Sequence, residues 1–296
     1  MIKPDVICFG EILWDVFPDR SVIGGAPLNV ALRLASFGVN SAIASCVGDD
    51  EPGNIAAQYV QEHGVISDYI ASHNELGTGK VLVTLDDSGS ASYIINDPVA
   101  WDAIPPAPQI IEAVSQAPYF VFGSLALRNA FNRNTMKALL PKADTKIFDV
   151  NLRAPHYNIS MVYELMQLSD VVKLNDEELL EVCVALGCEE KELLEQLKWL
   201  SEVSDTATLC VTQGAEGATL LHKGKLYRHP GFRVEVVDTV GAGDSFLATL
   251  IHEMLLKKSD PDTALASACA VGALVASKSG ANCIVTEEEV LDLLAS

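Results

Sequence analysis

The sequence predicts an α/β protein, a mostly parallel sheet flanked by helices, with a small second sheet attached to it. Three observations carry this expectation. Short apolar runs alternate with helical stretches along the whole 296 residues, the order expected of parallel strands joined by crossover helices. Hydrophobic residues make up 49% of the chain, enough for a large buried core. The alternation is interrupted once, at 78–95, by two consecutive β-rich segments.

Residues 6–10 are a short apolar run closed by glycine, a first buried strand. Alternation through Leu13, Trp14, Asp15, Val16 and Phe17 gives a second strand, stopped by Pro18 and Asp19. Gly24-Gly25-Ala26-Pro27-Leu28-Asn29 opens a helix whose apolar face is Leu28, Ala31, Leu32, Leu34 and Ala35, and Gly38 stops it. A strand at 41–47, a turn at Gly48-Asp49-Asp50 and a helix at 53–63 follow. The strands at 78–85 and 91–95 enclose a hairpin loop, Asp86-Asp87-Ser88-Gly89. Together, segments of roughly 12–24 and 77–101 form a small sheet suited to act as a lid that excludes water, or as a clasp in a homodimer.

Pro105-Pro106-Ala107-Pro108 returns the chain to the main body. Strands are expected at 119–123, 146–150, 170–174 and 208–212, and helices at 128–140 and from Asp176 onward. Gln213-Gly214-Ala215-Glu216-Gly217-Ala218 turns into a run at 219–222. Val236 and Val237 end a further strand; helices at 245–256, 261–278 and 287–294 complete a single domain over 1–296.

Charge and cysteine usage exclude several functions. The net charge is −20, so nucleic acid and anionic membranes are repelled, although a local basic site for a nucleotide remains open. No apolar run approaches the roughly 18 residues of a membrane span. Residues 1–10 show no cleavage pattern. The seven cysteines are scattered without a C-x-x-C, and Cys8, Cys46, Cys210 and Cys269 lie in apolar segments. This reads as buried thiols in a reducing cytoplasm, and no zinc site is expected around Cys183 and Cys188.

The stretch richest in chemistry is V-V-D-T-V-G-A-G-D-S-F at 236–246. Gly241 and Gly243 permit a tight turn, and a helix begins around Asp244. A helix N-terminus presents unpaired N–H groups and partial positive charge, which suits an anion. Asp244 is either the cap of that helix or a base facing whatever the N–H groups hold. The second reading makes the turn an oxyanion hole for a transferring phosphoryl group.

Other positions carry similar pairs of readings. Gly24-Gly25 allows a ligand close to the backbone, with the Asn29 amide one turn later. Asp15 is an edge-strand charge or a carboxylate that binds a polyol. Arg153, just past a strand end, is a surface charge or a ligand contact. Asn175 and Glu178 lie three apart at a helix start, where acidic residues complement the dipole or hold a hydrated Mg²⁺. The glycines at 214 and 217 cradle phosphate or make a hairpin. The small residues of 261–278 allow close packing or leave room for a flat base. Neither G-x-x-x-x-G-K-[ST] nor G-x-G-x-x-G is present, which argues against a P-loop ATPase and a Rossmann dehydrogenase.

Two motifs carry a family resemblance: Gly24-Gly25-Ala26-Pro27-Leu28-Asn29-Val30-Ala31 and Asp238-Thr239-Val240-Gly241-Ala242-Gly243-Asp244-Ser245-Phe246. In order and separation they resemble the ribokinase-like, or PfkB, carbohydrate kinases, over about 6–281. The resemblance implies a three-layer α/β/α ribokinase-like (Rossmann-like) domain with a β lid, and ATP-dependent phosphorylation of a sugar hydroxyl. It makes Asp244 the base and Gly241, Ala242 and Gly243 the anion hole. Asp15, Gly25 and Asn29 match sugar-binding positions. Asn175 and Glu178 match an N-x-x-E motif that organises Mg²⁺ and phosphate, Glu178 through water. Thr212, Gly214 and Gly217 match the nucleotide loop, with Gly243 beside the ATP phosphates. A monovalent cation, K⁺ in this reading, is implied around Asp238, Val240 and Gly280.

Gly10-Glu11-Ile12-Leu13-Trp14-Asp15 and Asp97-Pro98-Val99-Ala100-Trp101-Asp102 look like the fructokinase branch. Fructose is therefore the first substrate expectation, ahead of ribose, 2-keto-3-deoxygluconate and adenosine. Arg153 is available to an acidic sugar or to phosphate. Trp14, Tyr93 and Trp101 either line the sugar pocket or fill the lid's own core. A non-catalytic sugar or nucleotide sensor on the same fold is the alternative, and the presence of Asp244 speaks against it.

Overall fold

The computed structural model describes residues 2–85 and 91–296. The expected hairpin loop at 86–89 and the Tyr93 side chain lie outside the described residues. The chain forms two compact units, Met1–Phe120 with Leu125–Asp144, and Val121–Ser124 with Thr145–Ser296.

The first unit contains β1 (Val6–Phe9), β2 (Leu13–Val16), β3 (Ser21–Gly24), α1 (Ala26–Ser36), β4 (Ser41–Gly48), α2 (Glu51–Glu62), β5 (Ile70–His73), β6 (Gly79–Leu85), β7 (Ala91–Ile95), α3 (Pro108–Gln116), the start of β8 (Tyr119–Gly123) and α4 (Ala130–Leu139). β1 and β4 are buried at every position and pair in parallel, Val6 opposite Ser41. Such two-sided burial explains why both read as unbroken apolar runs rather than alternating ones. β2 pairs antiparallel with β3 and parallel with β6, and β6 pairs antiparallel with β7. These four strands form the separate lid sheet, in the order β3-β2-β6-β7.

Asp50 anchors the start of β6. Its carboxylate caps α2 through Gly53 N at 2.8 Å and accepts from Thr78 N at 2.9 Å and from the Thr78 hydroxyl. The Thr78 hydroxyl in turn accepts from Gly48 N at 2.9 Å. One carboxylate thus fixes a helix start and the strand that leads into the lid sheet.

The second unit contains the end of β8, then β9 (Thr145–Asp149), α5 (Ile159–Gln167), β10 (Val171–Asn175), α6 (Asp176–Ala185), α7 (Leu193–Ser204), β11 (Thr208–Thr212), β12 (Ala218–His222), β13 (Lys225–His229), α8 (Ala242–Leu250, continued as a π-helix over Ile251–Leu256), α9 (Pro261–Ala276) and α10 (Glu287–Leu294). β9, β10 and β11 run parallel, and β12 and β13 add antiparallel strands at the edge. The main sheet has nine strands in the order β13-β12-β11-β10-β9-β8-β1-β4-β5. The fold is the mixed α/β arrangement expected, a mostly parallel sheet with a lid sheet.

One expected element is absent. Val236 and Val237 form no strand; they are 60% and 62% exposed. The N–H groups of Val237 and Asp238 both donate to Ala276 O, at 2.8 and 3.1 Å, so a helix end takes the place of a neighbouring strand. β-Branching favours a strand only where a sheet edge is there to receive it.

Replacing Asp50 by alanine removes three hydrogen bonds from donors that are partly buried. A loss of about 3 kcal/mol is expected, read as a lower urea midpoint at unchanged m-value.

Candidate active site

The turn at 238–244 is built around two glycines and one carboxylate. Gly241 is the N-cap of α8 with φ 76°. A β-carbon there would fall 2.3 Å from Ala281 Cβ and 2.5 Å from Ala281 Cα. Conformation and space therefore both demand glycine. Asp238 pins the loop: Oδ1 accepts from Val240 N at 3.0 Å and Oδ2 from Gly280 N at 3.1 Å. This is the segment that the resemblance marks for a monovalent cation.

Because Gly241 holds the cap position, Asp244 is not the cap. It stands in the first turn of α8, partly exposed, where the helix dipole stabilises its negative charge. The Ala242 N–H reaches back to Thr239 O at 3.2 Å and the Ser245 N–H to Gly241 O at 2.9 Å.

Below this turn is a group of charges that sequence reasoning missed. Lys173, the middle residue of β10, is 6% exposed. Its ammonium is 3.1 Å from Asp149 Oδ1 on β9. Burial works against that charge, but the Asp149, Glu178 and Asp244 carboxylates outweigh it and hold the lysine above its ordinary value. A lone lysine in V-V-K-L-N was the only available signal.

Asn175 and Glu178 form a capping box at the start of α6. Asn175 Oδ1 accepts from Glu178 N at 2.7 Å, and Glu178 Oε2 accepts from Asn175 N at 2.9 Å. Glu178 Oε1 also accepts from Leu152 N at 2.8 Å. The glutamate is 6% exposed, and burial pushes its carboxyl above the usual range against the pull of Lys173. Among the described residues no group of three or more His, Cys, Asp or Glu is placed to hold a metal ion. With each of its oxygens already accepting a backbone N–H, Glu178 fits contact with a Mg²⁺ through water rather than as a direct ligand.

A cavity of about 480 Å³ lies in the second unit. Thr212, Gly214, Gly217, Ala242 and Gly243 line it, so the two glycine-bearing turns meet at one space. Its volume falls in the range of ligand pockets. Gly217 has φ 83° and a β-carbon there would lie 2.0 Å from His229 O, which fixes this turn against β13. Cys269, Gly272, Ala273 and Ala276 of α9 also line it, with Phe232. Their spacing puts them on one helix face, and their small size leaves a slot that a flat ring can fill. Arg153 is exposed beyond β9, its Nη1 donating to Leu152 O at 3.0 Å.

In the first unit, Gly25 caps α1 with φ 120°, and a β-carbon there would sit 2.3 Å from Glu11 O. Glu11, 2% exposed, accepts from Ala26 N at 3.2 Å; it is a further residue that sequence reasoning missed. Asn29 is 6% exposed, with its N–H on Gly25 O at 2.8 Å. The Asp15 carboxylate lies over Gly24, where a β-carbon would be 2.7 Å from Oδ2. Asp15, Gly25 and Asn29 thus fall on two neighbouring elements joined by β3.

Trp101 corrects an expectation. It has no exposed surface, so no sugar reaches it. A β-carbon on Gly79 would lie 2.3 Å from its Nε1, and the Arg128 guanidinium stacks 4.0 Å over the ring. Arg128 is held by Asp102 at 2.8 and 2.6 Å. Trp101 therefore belongs to the core beneath the lid sheet. Trp14 is partly exposed and donates to Pro52 O at 3.1 Å.

Comparison with known proteins follows this geometry closely. Residues 5–287 match the model of the pfkB family carbohydrate kinases. Fructokinase-2 of Solanum habrochaites is 29% identical, over 98% of this chain and 95% of its own. The structure of a fructokinase with bound ATP from Xylella fastidiosa superposes with a TM-score of 0.86 at 26% identity, covering 99% of each chain. A fructokinase double mutant from Vibrio cholerae O395, in fructose-, ADP- and potassium-ion-bound form, shares the fold with a TM-score of 0.85 at 23% identity, over 99% of this chain and 98% of that one. The chain belongs to the pfkB family of carbohydrate kinases, phosphotransferases with an alcohol group as acceptor.

Gly241→Ala meets both a positive φ and a close approach to Ala281. It should cost about 1–3 kcal/mol of stability and, by displacing the first turn of α8, lower turnover about 100-fold or more. Thermal melting and ADP release on the same preparation check the two effects.

Proposed function

We propose that this pfkB carbohydrate kinase transfers the γ-phosphate of ATP to a primary hydroxyl of a small sugar, fructose giving fructose 6-phosphate. The observation that carries the reading is Asp244 in the first turn of α8, next to Ala242 and Gly243 at the wall of the 480 Å³ cavity. Phosphoryl transfer needs little covalent work from a protein; it needs in-line positioning, charge neutralisation and a base. Asp244 takes the proton of the attacking hydroxyl. The N–H groups at the start of α8 receive the charge that develops on the phosphoryl oxygens. Thr212, Gly214 and Gly217 hold the nucleotide, and the small-residue face of α9 takes the base. Asn175 and Glu178 would hold a Mg²⁺ through water, and the ion would supply positive charge for the phosphates. Asp15, Gly25 and Asn29 bind the sugar hydroxyls, and Arg153 is left for phosphate or an acidic acceptor.

Fructose is supported by relatives that bear the name fructokinase. Ribose, 2-keto-3-deoxygluconate and adenosine remain the competing acceptors. A potassium ion near Asp238, Val240 and Gly280 is supported by the potassium-bound Vibrio relative. A homodimer through the lid is supported by Leu82 and Ile94, which are paired across β6 and β7 and are 41% and 57% exposed. The presence of Asp244 speaks against the sensor reading.

ADP release measured with Mg²⁺ and K⁺ over these sugars and adenosine tests the assignment. Fructose should give the highest kcat/KM, and Asp244→Asn should cut turnover about 10²–10⁴-fold with an unchanged melting transition. A variant that keeps near-normal turnover would sink the role of Asp244, and a different preferred acceptor would replace fructose alone. Sedimentation velocity should show a dimer that Leu82→Asp dissociates.

A further inference from the structure

Lys173 sits where protein stability alone gives no reason for a cation. A positive charge near a helix N-terminus opposes the helix dipole. Yet a β-carbon on Gly243 would fall only 3.2 Å from the Lys173 ammonium and 4.0 Å from its Cε, so the charge rests directly against the first turn of α8. Its neighbours along β10, Val172 and Leu174, are apolar and buried, and the lysine itself is 6% exposed. The ion pair with Asp149 is not a fully satisfied one. Only Oδ1 meets the ammonium, at 3.1 Å, and Oδ2 is buried with no hydrogen-bond partner. Well-packed apolar residues would serve a purely structural purpose at least as well.

The groups around this ammonium come from four elements. Asp149 faces it from β9, Glu178 from α6, Asp244 from α8 and the Cys210 thiol from β11. Burial keeps the Cys210 thiol neutral. Three carboxylates thus share one lysine, in a site that must also accept a polyanionic nucleotide. With no cation there, Asp244 would face two like charges and an incoming phosphate, all of which favour its protonated form. A protonated Asp244 cannot accept the hydroxyl proton.

We propose that Lys173 is a positioning residue for phosphoryl transfer. Asp149 holds its ammonium against Gly243, where it keeps Asp244 ionised and adds positive charge behind the N–H donors of α8. The same contact makes position 243 tight, since a β-carbon there would press the ammonium back by a few tenths of an ångström. This inference rests on the kinase reading of the site.

The test is the pH profile of kcat/KM for ADP release, with fructose or whichever sugar of the panel turns over fastest. Removing a neighbouring positive charge makes a carboxylate harder to ionise. In Lys173→Met the acid limb should therefore move up by about one to three pH units. Plateau turnover should fall about 100-fold, with a smaller change in sugar KM. Lys173→Arg keeps the charge and should leave the limb in place. Should Lys173→Met fail to fold, the double variant Lys173→Met/Asp149→Asn removes both charges of the buried pair and should still show an upward shift, smaller because one of the carboxylates facing Asp244 is lost with the lysine. A folded variant without the lysine whose acid limb coincides with that of the wild type overturns the inference and leaves the kinase reading intact. No turnover by the wild-type chain with any acceptor removes that reading and this inference with it.

Discussion

The geometry of the second unit depends on how α8 begins. Its cap is a residue with positive φ, packed against Ala281 so closely that no side chain fits, and the loop before it is tied to Gly280 through Asp238. Helix starts are commonly fixed by a side-chain cap such as Ser or Asp, which satisfies one of the first N–H groups. Here the cap is glycine and supplies no side-chain acceptor. The turn is positioned from outside the helix instead, by the 276–281 segment, through Val237 and Asp238 on Ala276 O and Gly280 on Asp238. Asp244 is therefore not the cap, and the dipole of α8 favours its negative charge in the first turn.

A second constraint follows from burial. Glu178 and Lys173 are both about 94% buried, and each has its charge state decided by neighbours rather than by water. Glu178 satisfies two backbone N–H groups, Asn175 and Leu152, and so joins the ends of two parallel strands, β10 and β9. Open parallel sheets bind ligands beyond the carboxyl ends of their strands. Here one glutamate ties the end of β10 to the segment beyond β9. The capping box that sequence reasoning could treat as ordinary helix-start chemistry thus also joins two neighbouring strand ends.

The fold was legible where burial is two-sided or where one motif does several things. β1, β4 and β8 are buried throughout and stand out as apolar runs. The glycines at 25 and 241 are visible because a positive φ and a close approach leave no other residue possible. Elements of weaker pattern went unread. β5 is I-A-S-H, partly exposed throughout, and β13 is K-L-Y-R-H at the sheet edge, so neither has the apolar signature of an interior strand. The opposite error arose at Val236 and Val237, where β propensity is high but only the end of α9 is available as a partner.

Site residues divide along the same line. Asn175 and Glu178 lie three apart at one helix start, so their spacing is legible in the sequence, and the structure shows them bonded to each other. Trp101 and Lys173 failed in opposite senses because their roles depend on residues far away in the chain. An aromatic near a lid resembles a sugar platform until Gly79 is seen packed against its Nε1 and Arg128 stacked over its ring. A lysine in a strand resembles an edge charge until Gly243, seventy residues later, is found against it. Substrate identity is harder still for the same reason. In the proposed reading, hydroxyl recognition would be set by the relative placement of Asp15, Gly25 and Asn29, and a shift of a fraction of an ångström there would change which polyol leaves no buried group unpaired. The discrimination available from such polar complementarity is large, up to about 10⁴–10⁵-fold where a site is built to hydrogen-bond a hydroxyl. It leaves almost no trace in residue type, so the reaction is read from the motif and the acceptor from measurement.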